Sequence, residues 1–428
     1  MDIPRLLKFV KGELPGDVRP GLYHFMREAD GAIRRFHLRV DSGGDGLLVA
    51  NAAAMARLSP SGVVIAKGLL DGDDSAAIVR RVKKRFRGAT DERLAADVAA
   101  VAALIERMES PEGGYPILNL ADPALGPKSL PLERPISADV PLCAPFHVAR
   151  LLERLWQLAI PHVTFVAGRD CNESHLVRAV ERGSDLGLIT GVRGRGSDLA
   201  VSTRINDMAA AGLDHLDVYC FSADNEVHNA LAGRGDGKMA VRALAAASKN
   251  EVCAVAQLAL TRSTLETIDR TLETIAGHGI ENACVFAVAT TEAEPASAGA
   301  MSAGELPPAA GMVEESAERL GVRLMWYPTV RFDPAIPLGE QLCRGPRTGG
   351  DWAIRVEPDG TVYAPRGPAT PAGNLLEDDW ETIEKSEPFA RYRERLQSDT
   401  RCDQCPGLSI CAADCPREPA GWADGISG

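Results

Sequence analysis

The sequence lacks any apolar run long enough to cross a membrane. Its longest apolar runs, Val98–Ile105 and Cys253–Leu260 among them, fall well short of the roughly 18 residues that a span needs. The first residues, MDIPRLLKFVKGEL, scatter charges among their apolar positions, so no signal peptide is expected. The sequence therefore predicts a cytoplasmic protein without a membrane partner.

The chain also lacks an excess of basic residues. Its 47 Lys and Arg against 59 Asp and Glu leave a formal net charge of -12 over 428 residues. Because proteins that bind nucleic acid carry a basic footprint, nucleic acid is not an expected partner. At about 150 residues per domain, the length predicts two or three globular domains.

Common catalytic and metal-binding motifs are missing as well. The sequence has no G-x-S-x-G elbow, and its eight histidines form no H-x-x-x-H pair. The glycine-rich stretches Gly191–Gly196 and Gly233–Lys238 lack the spacing of a dinucleotide fingerprint or a P-loop, so both predict strand–helix turns. His228 follows a predicted strand and could face a pocket, with a structural role as the alternative.

What the sequence does hold is a dense group of cysteines near its C-terminus, with Cys343 further upstream. Since a cytosolic chain keeps few disulfides, closely spaced thiolates predict an iron–sulfur cluster, with zinc or an empty site as alternatives. The group consists of Cys402, Cys405, Cys411 and Cys415. The cysteines expected to be inert core thiols are Cys171, Cys220, Cys253 and Cys284.

Residues 1–110 predict a separate α+β domain, which we describe as winged-helix-like. A three-stranded meander is followed by amphipathic helices, one of them capped by Asp74. The predicted strands are residues 22–28, 32–40 and 47–51, and the predicted helices are residues 74–86 and 91–108.

Basic residues are concentrated between Arg80 and Arg87, on the first of these helices. Such a run is typical of a solvated helix face, and the alternative is a docking surface for an acidic peptide or partner. Residues 111–128 are rich in Pro and Gly and predict a linker.

Strand and helix patterns alternate from residue 129 to residue 335. This spacing predicts repeated βα units around a parallel sheet, either an open doubly wound sheet or a partial (β/α) barrel. Amphipathic helices are predicted at His147–Leu158, with Trp156 on the buried stripe, and at Thr264–Ala276. The predicted strands are residues 129–136, 162–168, 186–191, 216–223, 253–260, 283–290 and 322–328.

Residues 336–428 predict a small third domain. Glu357–Gly360 reads as a hairpin turn between two short strands, and two short helices then lead to the cysteine group. Because the segment has modest apolar content, we expect a metal to stabilise it. The predicted strands are Trp352–Val356 and Thr361–Ala364, and the helices are Glu377–Lys385 and Pro388–Gln397.

In this order the pieces resemble the radical S-adenosylmethionine (SAM) peptide maturases that carry a C-terminal SPASM domain. The stretches PHVTFVAG, GLITG and AAAGLDHLDVYCFSADNEVHNALAGRGDGKMAVRAL are similar to that family's second to fourth βα units. The tail GDWAIRVEPDGTVYAP, Gly373-Asn374 and CDQCPGLSICAADCP resembles the SPASM pattern. The N-terminal domain is similar to PqqD-like elements, which hold a leader peptide by β-augmentation. The resemblance implies a partial barrel of radical SAM type and a ribosomal precursor peptide as partner.

The sequence departs from this family at the catalytic motif. The family holds its cluster on Cys-x3-Cys-x2-Cys after the first strand, whereas the corresponding stretch Ser137–Cys143 has a single cysteine. The family's Gly-Gly-Glu, which binds the SAM amino group, aligns with Ala167-Gly168-Arg169, where a cation replaces the carboxylate. We therefore expect neither reductive SAM cleavage nor SAM as a cofactor.

The resemblance also assigns the C-terminal thiols. Pro365 stands where the family has a further cysteine, so one [4Fe-4S] cluster, or a zinc ion on four of five thiolates, is expected. Carried over residue by residue, the two auxiliary clusters would take Cys402, Cys405 and Cys411, and Cys343 and Cys415.

These features favour a non-catalytic function. The protein is expected to bind a ribosomal precursor peptide, an active modifying enzyme or a second copy of itself, during maturation of a peptide natural product or cofactor. One alternative is an enzyme with non-reductive SAM chemistry or another ligand; another is an intact radical SAM maturase. The candidate residues around the barrel mouth are Arg169, Asp170, Asp224 and His228.

Overall fold

The computed structural model describes residues 18–29, 32–50, 54–86, 88–109, 134–142, 148–168, 171, 173–199, 202–233, 235–290, 299–301, 305–332, 336–344, 353–363 and 370–390. The chain separates into two compact units, Met1–Leu118 and Asn119–Gly428. The predicted linker at residues 111–128 lies outside the described residues. In the described part, no helix combines the length and the apolar character that crossing a membrane requires.

The first unit contains a four-stranded antiparallel sheet. Its strands β1 (Gly21–Ala29), β2 (Ala32–Val40), β3 (Gly46–Ala50) and β4 (Ala54–Leu58) pair in chain order. The predicted meander is present, but the sequence prediction missed β4. The stretch AMARL is short and two of its five residues are alanine, so pairing with β3 rather than strand propensity makes it a strand.

Three helices follow this sheet: α1 (Pro60–Asp71), α2 (Ser75–Arg85) and α3 (Asp91–Glu109). The predicted start of α2 is confirmed, because Asp74 Oδ1 accepts a hydrogen bond from the Ala77 N–H at 2.7 Å. The buried face of α2 consists of Ile78 and Val82, which join the core of this unit.

The second unit is built on a ten-stranded sheet with the order β11-β10-β9-β8-β7-β6-β5-β12-β13-β14. Strands β5 to β11 are parallel and pair in chain order. A doubly wound sheet reverses its order at a switch point, so this sequential order is instead that of a (β/α) barrel. The parallel strands are β5 (Ser137–Pro141), β6 (His162–Val166), β7 (Ile189–Arg195), β8 (His215–Tyr219), β9 (Cys253–Leu260), β10 (Asn282–Thr290) and β11 (Arg323–Phe332).

The first parallel strand lies later in the chain than predicted. Its predicted position is residues 129–136, whereas β5 runs from Ser137 to Pro141 in register with β6. The stretch SLPLERPI contains two prolines, which cannot donate to a sheet ladder. The loop that follows the first strand is therefore residues 142–147, and the family comparison at Ser137–Cys143 was placed too early.

The helices of this unit include two departures from prediction. Leu151, Leu152 and Leu155 form the buried face of α4, but Trp156 is 42% exposed rather than part of that face. The helices are α4 (Val148–Gln157), α5 (Glu173–Asp185), α6 (Gly196–Leu199), α7 (Ser202–Ala210), α8 (Asn225–Ala232), α9 (Gly237–Lys249), α10 (Arg262–Leu265), α11 (Ile268–Gly277), α12 (Leu306–Leu320), α13 (Leu338–Arg344) and α14 (Trp380–Glu384).

The second departure is that the helix predicted at Thr264–Ala276 divides into α10 and α11. Threonine hydroxyls cause the break, because they bond to nearby backbone groups in competition with the helix. The Thr264 hydroxyl donates to the Ala259 carbonyl at 2.6 Å, and the Thr267 hydroxyl donates to the Thr264 carbonyl at 3.0 Å.

Three short strands extend the parallel sheet at its β5 edge: β12 (Ala353–Val356), β13 (Thr361–Tyr363) and β14 (Pro371–Asn374). β12 pairs with β5 in parallel, and β13 completes the predicted hairpin. Gly360 has φ 92°, the left-handed conformation that the turn requires and that favours glycine. A separate C-terminal domain stays a prediction, because the cysteine group at residues 402–415 lies outside the described residues.

Candidate functional site

One face of the parallel sheet, which we call the inner face, carries buried charged side chains. Along β7 the sequence ITGVRGR alternates, so Arg193 and Arg195 point to the same face. Asp217 of β8 lies opposite Arg193 in the strand register. Arg193 is 7% exposed, Asp139 4% and Asp217 2%, so this polar group is withdrawn from water.

The Arg193 guanidinium bridges two carboxylates on the inner face. Its Nη1 donates to Asp139 Oδ2 at 2.8 Å, and its Nε donates to Asp217 Oδ2 at 3.2 Å. Gln257 Nε2 also donates to Asp217 Oδ2, at 3.3 Å. Charge-assisted hydrogen bonds thus link β5, β7 and β8, which supply Asp139, Arg193 and Asp217, and the link from β7 to β5 passes across β6.

Two histidines extend this network toward the start of the strands. His215 Nδ1 lies 2.8 Å from Asp217 Oδ1, and His215 Nε2 lies 2.7 Å from His162 Nε2. Burial alone would raise the pKa of Asp217, but the charges and hydrogen bonds of His215 and Arg193 overcome it and lower that pKa to about 2. With Asp217 ionised, His215 Nδ1 donates a hydrogen bond to it. A neutral His215 then carries no proton on Nε2, so this atom accepts a hydrogen bond from the Nε2–H of His162.

Gly191 makes room for this histidine pair. A Cβ atom at Gly191 would lie 2.1 Å from His215 Nε2.

Gly196 is also closely packed, because a Cβ atom there would lie 2.0 Å from the Ala240 backbone nitrogen. The prediction of a strand–helix turn at Gly191–Gly196 was therefore only partly right. Residues 189–195 are strand β7, and only Gly196, at the start of α6, lies at the turn.

The carboxyl end of the inner face, where this class of fold places its ligands, carries an apolar cluster. Leu338 and Leu342 of α13 pack with the aromatic residues Tyr219, Phe221 and Phe286 in one buried cluster. Tyr219 and Phe221 stack with ring centroids 5.8 Å apart, and Phe221 meets Phe286 edge to face at 6.4 Å. We call this group the carboxyl-end cluster.

Arg195, the last residue of β7, forms an ion-pair group beside this cluster. Its Nε and Nη2 atoms donate to the two carboxylate oxygens of Asp198 at 2.7 and 3.1 Å. Glu340 Oε1 of α13 lies 3.6 Å from Arg195 Nη1. The ion pair between Arg195 and Glu340 therefore links α13 to strand β7.

His228, a candidate from the sequence, is fully buried in α8. Its Nδ1 accepts from the Phe221 N–H at 3.2 Å, so the proton lies on Nε2, which donates to Asp236 Oδ2 at 3.0 Å. Asp236 Oδ1 in turn accepts from the Ser197 N–H at 2.6 Å. Through these hydrogen bonds, the pair formed by His228 and Asp236 links α8 to the backbone at Phe221 and at Ser197.

Asp224 caps the N-terminus of α8, where its Oδ1 accepts from the Glu226 N–H at 2.9 Å. Its Oδ2 accepts from Arg270 Nη2 at 2.7 Å. Asp224 and His228 therefore lie on one helix but contact different partners. The other two mouth candidates, Arg169 and Asp170, lie outside the described residues.

Of the predicted metal ligands, the described residues include Cys343 alone. Its Sγ is buried in α13 and donates to the Ala167 carbonyl at 3.3 Å. In the described part of the chain, no three His, Cys, Asp or Glu side chains are grouped to hold a metal ion. The four C-terminal cysteines Cys402, Cys405, Cys411 and Cys415 lie outside that part.

The loop after the first strand does not fit a cluster held by three thiolates. β5 ends at Pro141 and α4 begins at Val148, so six residues connect them. Only one of these, Cys143, is a cysteine. The resemblance noted from the sequence implies three thiolates in this loop, so the residues present do not fit that cluster.

Sequence reasoning missed the inner-face network. Asp139, His162, Arg193, His215 and Asp217 were absent from the candidates. His162 and Asp217 were taken as parts of ordinary strands, whereas Asp139, Arg193 and His215 fell outside the predicted strands. A usable signal was present: polar residues recur at alternate positions of consecutive buried strands, as in HLDVY and ITGVRGR.

Comparison with known proteins shows the fold. No protein-family model and no curated protein matches the sequence. SuiB from Streptococcus suis, bound to S-adenosylmethionine, matches with a TM-score of 0.56 and 12% identity, over 92% of this chain and 95% of SuiB. SuiB bound to the precursor peptide SuiA gives 0.54 and 10%, over 93% and 100%. Native anSMEcpe with bound AdoMet gives 0.50 and 12%, over 68% and 92%.

These likenesses show the fold of the chain. It is a mixed α/β fold with a large parallel sheet, similar to the folds of SuiB and anSMEcpe. At identities of 10–12% the likeness concerns the fold alone, so activity has to be argued from the site.

Proposed function

We propose that this protein binds a ribosomal precursor peptide and does not cleave SAM reductively. The absence of reductive SAM cleavage is supported by the carboxyl-end cluster. Leu338 and Leu342 of α13 occupy the end of the sheet where this fold class places its ligands. The single thiol of the loop after β5, Cys143, supports the same conclusion.

The ion pairs of the second unit also support a scaffold role. Arg193 and Arg195 satisfy their charges with Asp139, Asp217 and Asp198. These charges are paired with one another and withdrawn from water, which supports a structural role for the network.

The proposed peptide site is on the first unit. Its sheet has two edge strands, β1 and β4, to which an extended peptide could add by main-chain hydrogen bonds. Helix α3 exposes an uncharged strip of alanines to solvent. Side chains of a bound peptide could pack against this strip. The strip consists of the exposed residues Ala95, Ala96, Ala99, Ala100 and Ala103.

The test measures binding to the full chain by fluorescence anisotropy. The probes are fluorescein-labelled peptides translated from the short reading frames beside its gene. Ala99→Arg places a long charged side chain on the strip and should weaken binding about tenfold, equivalent to about 1.4 kcal/mol. The matched control is Ala210→Arg on the exposed end of α7, which should bind as the wild type does.

Two outcomes would overturn the proposal. One is that no encoded peptide binds the wild-type chain. The other is that mass spectrometry finds a bound peptide chemically modified after incubation of the pure protein with SAM and a reductant, which would favour an intact maturase.

We further propose that the C-terminal thiols hold one metal centre, a [4Fe-4S] cluster or a zinc ion. The spacing of Cys402, Cys405, Cys411 and Cys415 supports it. Because the Cys343 thiol already donates to the Ala167 carbonyl, we propose that the four C-terminal thiols suffice without it.

A further inference from the structure

Helix α2 carries a concentrated positive charge that the function proposed above does not use. It has five basic residues and no acidic residue, in a chain whose net charge is -12. The basic residues are Arg80, Arg81, Lys83, Lys84 and Arg85.

Two of these cations are neutralised within the first unit. Arg81 Nη1 lies 2.8 Å from Asp73 Oδ2, and Lys83 Nζ lies 2.7 Å from Asp91 Oδ1. Arg85 places its guanidinium carbon 5.7 Å from the centre of the Phe86 ring. These three side chains therefore have partners in the folded protein.

Arg80 and Lys84 differ from them. Both are exposed, and they lie four residues apart on the helix face opposite the buried Ile78 and Val82. Neither forms an ion pair with a described residue. Two like charges at this spacing destabilise a helix by about 0.2–0.5 kcal/mol, and no contact within the described part of the unit offsets that cost.

We propose that this face of α2, formed by Arg80 and Lys84, binds an acidic segment of the precursor peptide. The inference rests on the proposed function and names the chemistry of its partner. Cations four residues apart on a helix are about 6 Å apart along its axis. Carboxylates two residues apart on an extended peptide are spaced by about 6.6 Å, which is a close match.

An acidic peptide fits this face better than nucleic acid. Among the described basic residues of α2, Arg80 and Lys84 alone lack a partner for their charge, whereas a phosphate backbone engages many cations at once. Asp73 and Asp91 flank the face, and the chain as a whole is acidic, so a long polyanion would be repelled. A short segment with two or three carboxylates avoids both penalties.

The experiment compares Arg80→Gln/Lys84→Gln with a matched variant that also removes two exposed cations, Arg242→Gln/Lys249→Gln on α9. Anisotropy titrations of the full chain use a labelled precursor peptide and a labelled glycine–serine peptide that carries three glutamates at alternate positions. The first variant should bind both probes about fivefold more weakly, as expected for two exposed ion pairs of about 0.5 kcal/mol each. The matched variant should bind both as the wild type does.

The outcomes separate this inference from the function on which it rests. Equal binding of both probes by the two variants would overturn the inference and leave peptide binding intact. Failure of every precursor peptide to bind, with binding of the three-glutamate probe still dependent on Arg80 and Lys84, would overturn the proposed function but support the acidic-segment surface. Tighter binding of duplex DNA than of either peptide, lost in the first variant, would overturn the inference in favour of nucleic acid. The first variant should unfold at the same temperature as the wild type or slightly higher, because it relieves like-charge repulsion.

Discussion

Asp217 is the residue on which the inner-face network depends. It accepts hydrogen bonds from Arg193, Gln257 and His215, and it is 2% exposed. Its position could not be read from the sequence, because an aspartate in HLDVY matches a half-exposed strand as well as a buried ion pair. Only the register with β7 brings Arg193 opposite to it.

We expect Asp217→Asn to lower the free energy of unfolding by about 3 kcal/mol at neutral pH, since it leaves buried charges short of a partner. The carbonyl oxygen of the new asparagine can still accept a hydrogen bond, but its NH2 group would face another donor that now bonds to the Asp217 carboxylate. Urea unfolding of the full chain measures the change. A loss below about 1 kcal/mol, the worth of an exposed pair, would contradict the buried network.

The same pair of proteins tests the pH dependence. The pKa of Asp217 is lowered from 3.8 to about 2 in the fold, so its contribution is present above pH 3.8 and is lost as the pH falls toward 2. Between about pH 7 and about pH 3, the stability difference between wild type and Asp217→Asn should shrink by about 1 kcal/mol. A difference that grows on acidification has the wrong sign for this account.

Gly191 gives a second test at the residue scale. Gly191→Ala would place a Cβ atom 2.1 Å from His215 Nε2 on a buried strand, so it should destabilise the chain by about 2 kcal/mol or prevent folding. Gly311→Ala is the control, because the exposed Gly311 in α12 has open space where a Cβ would lie. We expect the control to be stabilised by about 0.5–1 kcal/mol in the same thermal unfolding assay. Equal effects of the two substitutions would refute the packing argument.

At the scale of elements, periodicity predicted the strands and helices whose environment is uniform. The stretch CAVAQLAL is strand β9 at its predicted bounds, and α2 begins where its N-cap Asp74 indicated. Prediction failed in two situations. In one, a strand forms because it pairs with another strand; in the other, hydrogen bonds from local polar side chains interrupt a helix. β5 and β4 are strands because of their pairing partners, and threonine hydroxyls divide α10 from α11.

The C-terminal segment makes a prediction about metal content. Iron, zinc and labile sulfide per chain, measured on anaerobically purified protein, should fall to near zero in Cys405→Ala, because the variant removes a ligand of a four-thiolate site. Cys343→Ser is the matched control and should keep its metal, since the Cys343 thiol donates to the Ala167 carbonyl. Metal lost in both variants would make Cys343 a ligand, and metal kept in both would exclude the proposed centre.

For the whole molecule, the order of sequence pieces indicated the radical SAM-type fold, which the likeness to SuiB over 92% of the chain supports. The sequence could not reveal what occupies the carboxyl end of the sheet. That depends on α13, whose residues Leu338 and Leu342 lie far along the chain from Tyr219 and Phe221. Long-range packing of this kind leaves no local pattern.

The most direct test of the central claim is the formation of 5′-deoxyadenosine. The full chain, reconstituted anaerobically with iron and sulfide, is incubated with SAM, dithionite and an encoded precursor peptide, and the nucleoside is quantified by chromatography. We predict no 5′-deoxyadenosine above the protein-free control, because the loop after β5 holds one thiol and α13 covers the carboxyl end of the sheet. One equivalent or more per chain would contradict the account and identify an active radical enzyme.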